Sequence, residues 1–151
     1  MLLKNFIKNL PVFKELSAGE VENLARAMRV EEYPEGHVFV YQNKQGKELF
    51  LLIEGEVRVC HYDDSGRSYD LKRLESGELF GLLSLSDNRP ATASCVAAGR
   101  VKAASLPYTA YHLLFQSSAP IGYHFLFAVA RQLARDLRDR ADARRALLRH
   151  T

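Results

Sequence analysis

With 151 residues, 47% of them hydrophobic, the chain can form one domain with a substantial core and is too apolar to be a disordered tail. Its formal charge of +3 is too mild to imply nucleic acid, and the basic excess is concentrated at the C-terminus, with seven arginines against Asp136, Asp139 and Asp142 between Arg131 and His150. Cys60 and Cys95 have no metal-ligand spacing, no apolar run reaches membrane-spanning length, and the lysine-interleaved start MLLKNFIKNLPVF lacks a cleavage site, so a reducing, cytoplasmic setting is expected.

The first predicted element is a short helix in ELSAGEVENLARAMRVEEY. Ser17 and Glu20 form an S-x-x-E capping box, and Val21, Leu24, Ala25 and Met28 recur at helical spacing. Leu16, just before the cap, is placed to staple onto Val21 or its neighbour. After Pro34 and Gly36 the texture changes to short β-rich runs that continue to Val101 and beyond. These are HVFVYQ, ELFLLIEGEVRVCHY, SYDLKRLESGELFG and ATASCVAAGRVKAASL. In EVRVCHY the alternation puts Val57, Val59 and His61 on one side and Arg58, Cys60 and Tyr62 on the other. DDSG, Asp63 to Gly66, carries hairpin-turn chemistry. Glycines at roughly ten-residue intervals set the rhythm of a sandwich or barrel, and the pieces predict a mainly β, jelly-roll-like fold with flanking helices.

Past Pro107 the pattern is helical. YTAYHLLFQS reads as a short helix, and Pro120 opens a long one running to about Leu148. Leu126, Ala130, Leu133 and Leu137 follow steps of four and three, a dimer-type seam that stops at Arg140 and Arg144. Two uses of this face stay open: a short helix-pair contact between two copies, or packing on the chain's own β-roll. Residues 1–119 are expected to form the roll with its helices, and residues 120–151 the hinge or dimer helix.

In this order the pieces resemble the cyclic-nucleotide-binding domain family, as in the catabolite-activator-type bacterial regulators. The resemblance rests on LPVFKELSAGEVENLARAMRVEEYPEGHVFVYQ, ELFLLIEGEVRV and LKRLESGELFGLLSL, the last matching the entry to the family's phosphate-binding cassette through Gly77 and Gly81. It implies a β-roll whose cassette holds a small anionic ligand, possible ligands being cyclic AMP and cyclic GMP. Glycine lets the backbone approach the phosphate, a helix start directs N–H groups at it, and arginine adds a bidentate contact. Carried onto this chain, the ligand-binding positions are Gly81, Leu82, Leu83, Arg89, Ala91 and Thr92.

Two of these depart from the pattern. Leu82 stands where the family has the glutamate that accepts the ribose 2′-hydroxyl, and leaving that hydroxyl unpaired costs on the order of 1–3 kcal/mol. Arg89 fits the binding arginine when counted back from Ala91-Thr92. Counted forward from Gly81, it falls instead on an Arg-Pro before the binding arginine, with two residues deleted. The histidines are scattered, Ser84 and Ser86 have no base, and no Walker-type loop is present, so no enzyme is expected. The expected function is a sensory or regulatory module whose C-terminal helix moves with the ligand. The alternatives are an interaction domain of the same fold with a decayed site, acting on an unknown effector protein, or the truncated sensor part of a transcriptional regulator. No membrane partner and no direct sequence-specific DNA binding are expected, since only RRALLRH could touch phosphates.

Overall fold

The computed structural model describes residues 2–82, 89–117 and 119–149. Helix α1 (Leu3–Lys8) and a 3-10 turn (Pro11–Phe13) lead into α2 (Ala18–Ala27). Strands β1 (Arg29–Tyr33), β2 (Val38–Val40), β3 (Glu48–Glu54), β4 (Val57–Tyr62), β5 (Ser68–Leu74), β6 (Leu79–Phe80), β7 (Ser94–Ala97) and β8 (Val101–Pro107) follow. The described chain ends in α3 (Tyr108–Ser117) and the long α4 (Ala119–Arg149). Two antiparallel four-stranded sheets result, ordered β1-β8-β3-β6 and β2-β7-β4-β5.

The apolar runs explain the layering. ELFLLIE of β3 has four consecutive buried residues, so both of its faces are covered. Leu49 and Leu51 join Ile7, Leu24, Leu106 and Tyr111 in a core beneath the helices, while Phe50 and Leu52 join Val57, Leu74 and Phe80 between the sheets. The period of two in a strand makes this division automatic. Phe50 and Phe80 stack with ring centres 5.1 Å apart, and Phe39 meets both edge-on.

One sequence expectation is corrected and two gain detail. The helix through ELSAGEVENLARAMRVEEY stops at Ala27, because Met28 is extended and Arg29–Tyr33 pairs with β8 as an edge strand. Charged Arg29, Glu31 and Glu32 on that strand discourage further pairing. The long β-rich runs each divide at a turn into two strands that belong to different sheets: β3 and β4, β5 and β6, β7 and β8. In β4, Val57 and Val59 pack toward the inter-sheet core, Cys60 is fully buried as well, and His61 is exposed. Here β4 has run past its paired residues on β7, and the His61 Nδ1 lies 3.1 Å from the Thr92 carbonyl oxygen.

Candidate functional site: a cavity between the roll and the last helix

Gly81 sits where β6 leaves its sheet, with φ +77°. A Cβ there would lie 2.9 Å from the Glu48 carbonyl oxygen, so the close approach of this segment to β3 requires glycine. The Tyr108 hydroxyl donates to the Gly81 carbonyl, and burial pushes the Tyr108 pKa up to about 12. Ala91 is tied by its backbone to the loop before β3: Asn43 N–H donates to Ala91 O at 2.7 Å, and Ala91 N–H donates to Lys44 O at 2.9 Å.

Gly81, Leu82 and Ala91 line one cavity together with Val59, Lys72 and Cys95 of the second sheet. Another wall is α4, through Leu133, Asp136, Leu137 and Asp139. Of the expected site residues, the fold therefore brings Gly81, Leu82 and Ala91 together. Arg89 and Thr92 are exposed and stand outside that lining, and Leu83 lies outside the described residues. Leu82 is 3% exposed and packs into the helix-side core, so it presents methyl groups and no acceptor.

Sequence reasoning passed over the polar residues of this wall. Strand β5 carries one extra residue opposite the Val59–Cys60 step, since Val59 pairs with Lys72 and Cys60 with Asp70. That bulge leaves Leu71 unpaired and lets both Leu71 and Lys72, adjacent in sequence, reach the cavity. Lys72 Nζ lies 2.5 Å from Asp139 Oδ2, 3.4 Å from Glu78 Oε1 and 3.6 Å from Asp136 Oδ1. Burial pulls the Lys72 pKa down, but the Asp139 hydrogen bond and the Glu78, Asp136 and Asp139 charges outweigh it and hold the ammonium above its ordinary value.

Gln132, 6% exposed, ties α4 to β6 just before Gly81. Its Oε1 accepts the Leu79 N–H at 3.2 Å, and its Nε2 donates to Asp136 Oδ1 at 3.2 Å. The available signal was modest: Asp136 and Asp139 are an i,i+3 acidic pair on an arginine-rich helix, which a sequence alone reads as a solvated face. Among the described residues no cluster of potential metal ligands occurs, and no helix is long and apolar enough to cross a membrane.

The comparisons with known proteins agree with this architecture. Residues 30–118 match the family model for the cyclic nucleotide-binding domain. The chain is 34% identical over 127 residues to a cyclic AMP receptor protein of Thermus thermophilus, covering 84% of this chain and 59% of that protein. It is 31% identical over 105 residues to a cAMP-dependent protein kinase regulatory subunit of Mycosarcoma maydis, covering 70% of this chain and 20% of that protein. A crystal structure of a cyclic nucleotide-binding domain from Methylobacillus flagellatus superposes with a TM-score of 0.82 at 23% identity, covering 99% of this chain and 82% of that one. The chain thus spans from a fifth to three fifths of the length of these two sequence relatives. With the two-sheet roll, its flanking helices and the matched residues in agreement, the chain belongs to the cyclic nucleotide-binding domain family.

Proposed function

We propose that this chain is a ligand-sensing regulatory module in which a cyclic nucleotide, cyclic AMP or cyclic GMP, enters the cavity beneath α4 and changes the position of that helix. The observation that carries this reading is the shared lining: cassette residues Gly81, Leu82 and Ala91 face the same space as Leu133, Asp136 and Leu137 of α4. A ligand there touches the roll and the helix at once, so any difference in its contacts between two helix positions shifts their populations. Leu82 offers no partner to a ribose hydroxyl, so the affinity is weaker, by about tenfold or more, than a carboxylate at this position gives. Arg89 and Thr92 are the cassette groups that complete the anion site in this reading. The module works in the reducing cytoplasm, where buried Cys60 and Cys95 remain thiols.

Calorimetric titration with cyclic AMP and cyclic GMP tests this. Saturable heat that is lost in Arg89→Ala, and affinity gained in Leu82→Glu, are the expected results. A folded chain that gives no heat with either nucleotide at millimolar concentration sinks the reading. It then favours an interaction domain, a second reading with its own support: the polar side chains Lys72, Tyr108, Asp136 and Asp139 of the described lining already have partners within the chain. The module further pairs with a second copy through α4, as argued from its exposed face below.

A further inference from the structure

We propose that Lys72 is the cation of a charge latch: held by Asp136 and Asp139 it keeps α4 over the cavity, and drawn away from them it converts that contact into repulsion and releases the helix. The inference rests on the ligand-sensing reading only for what draws the ammonium away. The latch itself stands on the arrangement of charges.

Three carboxylates, Glu78, Asp136 and Asp139, converge on Lys72, whose side chain is only 16% exposed. Among the described residues Arg135 adds a second cation, which pairs with Glu78 at 3.6 Å through a side chain that is 54% exposed. The ion pairs among the described residues thus join three carboxylates to two cations, and one of those cations is largely in solvent. While Lys72 bridges the aspartates of α4 and the glutamate of the roll, the contact is attractive. Without it, Glu78 on the roll side faces Asp136 and Asp139 on the helix side at short range and in partly desolvated surroundings, where like charges repel strongly. A contact that changes sign with one group has two discrete states, which is what a switch requires.

The placement of Lys72 supplies the trigger. Lys72 pairs with Val59 and shares the inner face with it and with Leu74, and it is the one cation among the described lining residues. A phosphate or other anionic group reaching it from inside the cavity competes with Asp136 and Asp139 for the same three N–H donors. Gln132 makes the release cooperative with the cassette, because the same stretch of α4 that carries the aspartates also accepts the Leu79 N–H two residues before Gly81.

Two variants of the full chain test the latch without any ligand. Hydrogen exchange by mass spectrometry follows α4 peptides from residue 126 onward, and alkylation of Cys95 reports access to the cavity that it lines. In Lys72→Met both rates rise by about tenfold, the scale of a partly exposed ion cluster. In the triple variant Lys72→Met, Asp136→Asn, Asp139→Asn they return toward wild type, because the repelling charges leave with the cation. The β3 and β8 amides stay protected throughout. Wild-type rates in Lys72→Met, a triple variant as open as the single one, or loss of β3 and β8 protection together with α4 would each overturn the latch. Cyclic AMP added at millimolar concentration to the wild-type chain reads the ligand question separately: α4 exchange unchanged there, with Lys72→Met open, removes the nucleotide and keeps the latch.

Discussion

At the scale of single residues, two glycines set how closely the chain can fold back on itself. Gly55, at φ +95°, turns the chain from β3 in one sheet to β4 in the other, and a Cβ there would lie 2.5 Å from the Arg100 carbonyl oxygen. The β7–β8 corner thus packs directly on the β3–β4 corner, backbone to backbone. Neither wall is a flexible side-chain tip that could yield. Gly55→Ala is expected to cost about 3 kcal/mol and Gly81→Ala about 2 kcal/mol, combining left-handed strain with a backbone clash. Gly19→Ala, in α2 with open space around it, is expected to be neutral or slightly stabilising. Urea midpoints of the three variants check the ranking, and equal midpoints would refute it. Lys72 gives a residue-scale expectation in pH. Its folded pKa lies above the ordinary 10.5, so its contribution is fully present below that value and is lost as pH rises through the raised one. The stability difference between wild type and Lys72→Met is therefore flat across neutral pH and shrinks only in the alkaline range above 10.5. A difference that already shrinks between pH 7 and 9 contradicts this.

At the scale of elements, what the sequence makes legible follows from where each element gets its stability. The start of α2 is local chemistry and reads directly: Ser17 Oγ accepts the Glu20 N–H at 3.2 Å, and Glu20 Oε1 accepts the Ser17 N–H at 3.0 Å. Leu16 and Val21 lie buried in one core, as the staple requires. Ser17→Ala is expected to cost about 1 kcal/mol, read as a lower urea midpoint with an unchanged slope. The end of α2 is not local. Arg-Val-Glu-Glu-Tyr contains nothing that forbids helix, and it becomes β1 because β8 offers it a partner from Arg29↔Ser105 to Tyr33↔Val101. The cavity lining shows the same divide. Gly81 and the departure at Leu82 are visible in the string, since one needs its left-handed φ and the other lacks an acceptor. The bulge at Leu71 leaves no mark in SYDLKRL, and a lysine sharing the inner face with Leu74 and Val59 goes against the usual pattern, so the place of Lys72 in the cavity was hidden, as was that of Gln132, whose burial depends on how α4 rotates against the roll.

At the scale of the whole molecule, α4 divides its apolar residues between two uses, and that division bears on assembly. Val129 and Gln132 are buried, and Leu133 packs against the helix-side core, so this stripe belongs to the chain's own roll. The rest of the predicted seam is exposed: Leu126 at 46%, Leu137 at 65% where it borders the cavity, and Ala130, with Phe127 beside Leu126 at 57%. Leu133 is thus unsuitable as a probe of dimerisation, because Leu133→Asp places a charge in the core and damages the monomer. Leu126 and Phe127 carry the outward apolar surface, and large exposed apolar groups on a helix are stabilised by pairing with a like surface. In the proposed homodimer two α4 helices meet along Leu126, Phe127 and Ala130, leaving Asp136 and Asp139 to face Lys72 within each chain. Light scattering at micromolar concentration is expected to give the mass of two chains for wild type and of one chain for Leu126→Asp with Phe127→Asp, with the thermal transition of the roll little changed. A wild-type chain that runs as a monomer refutes the pairing. So does a double variant that keeps the dimer mass, since the two-fold contact must then lie away from this face of α4.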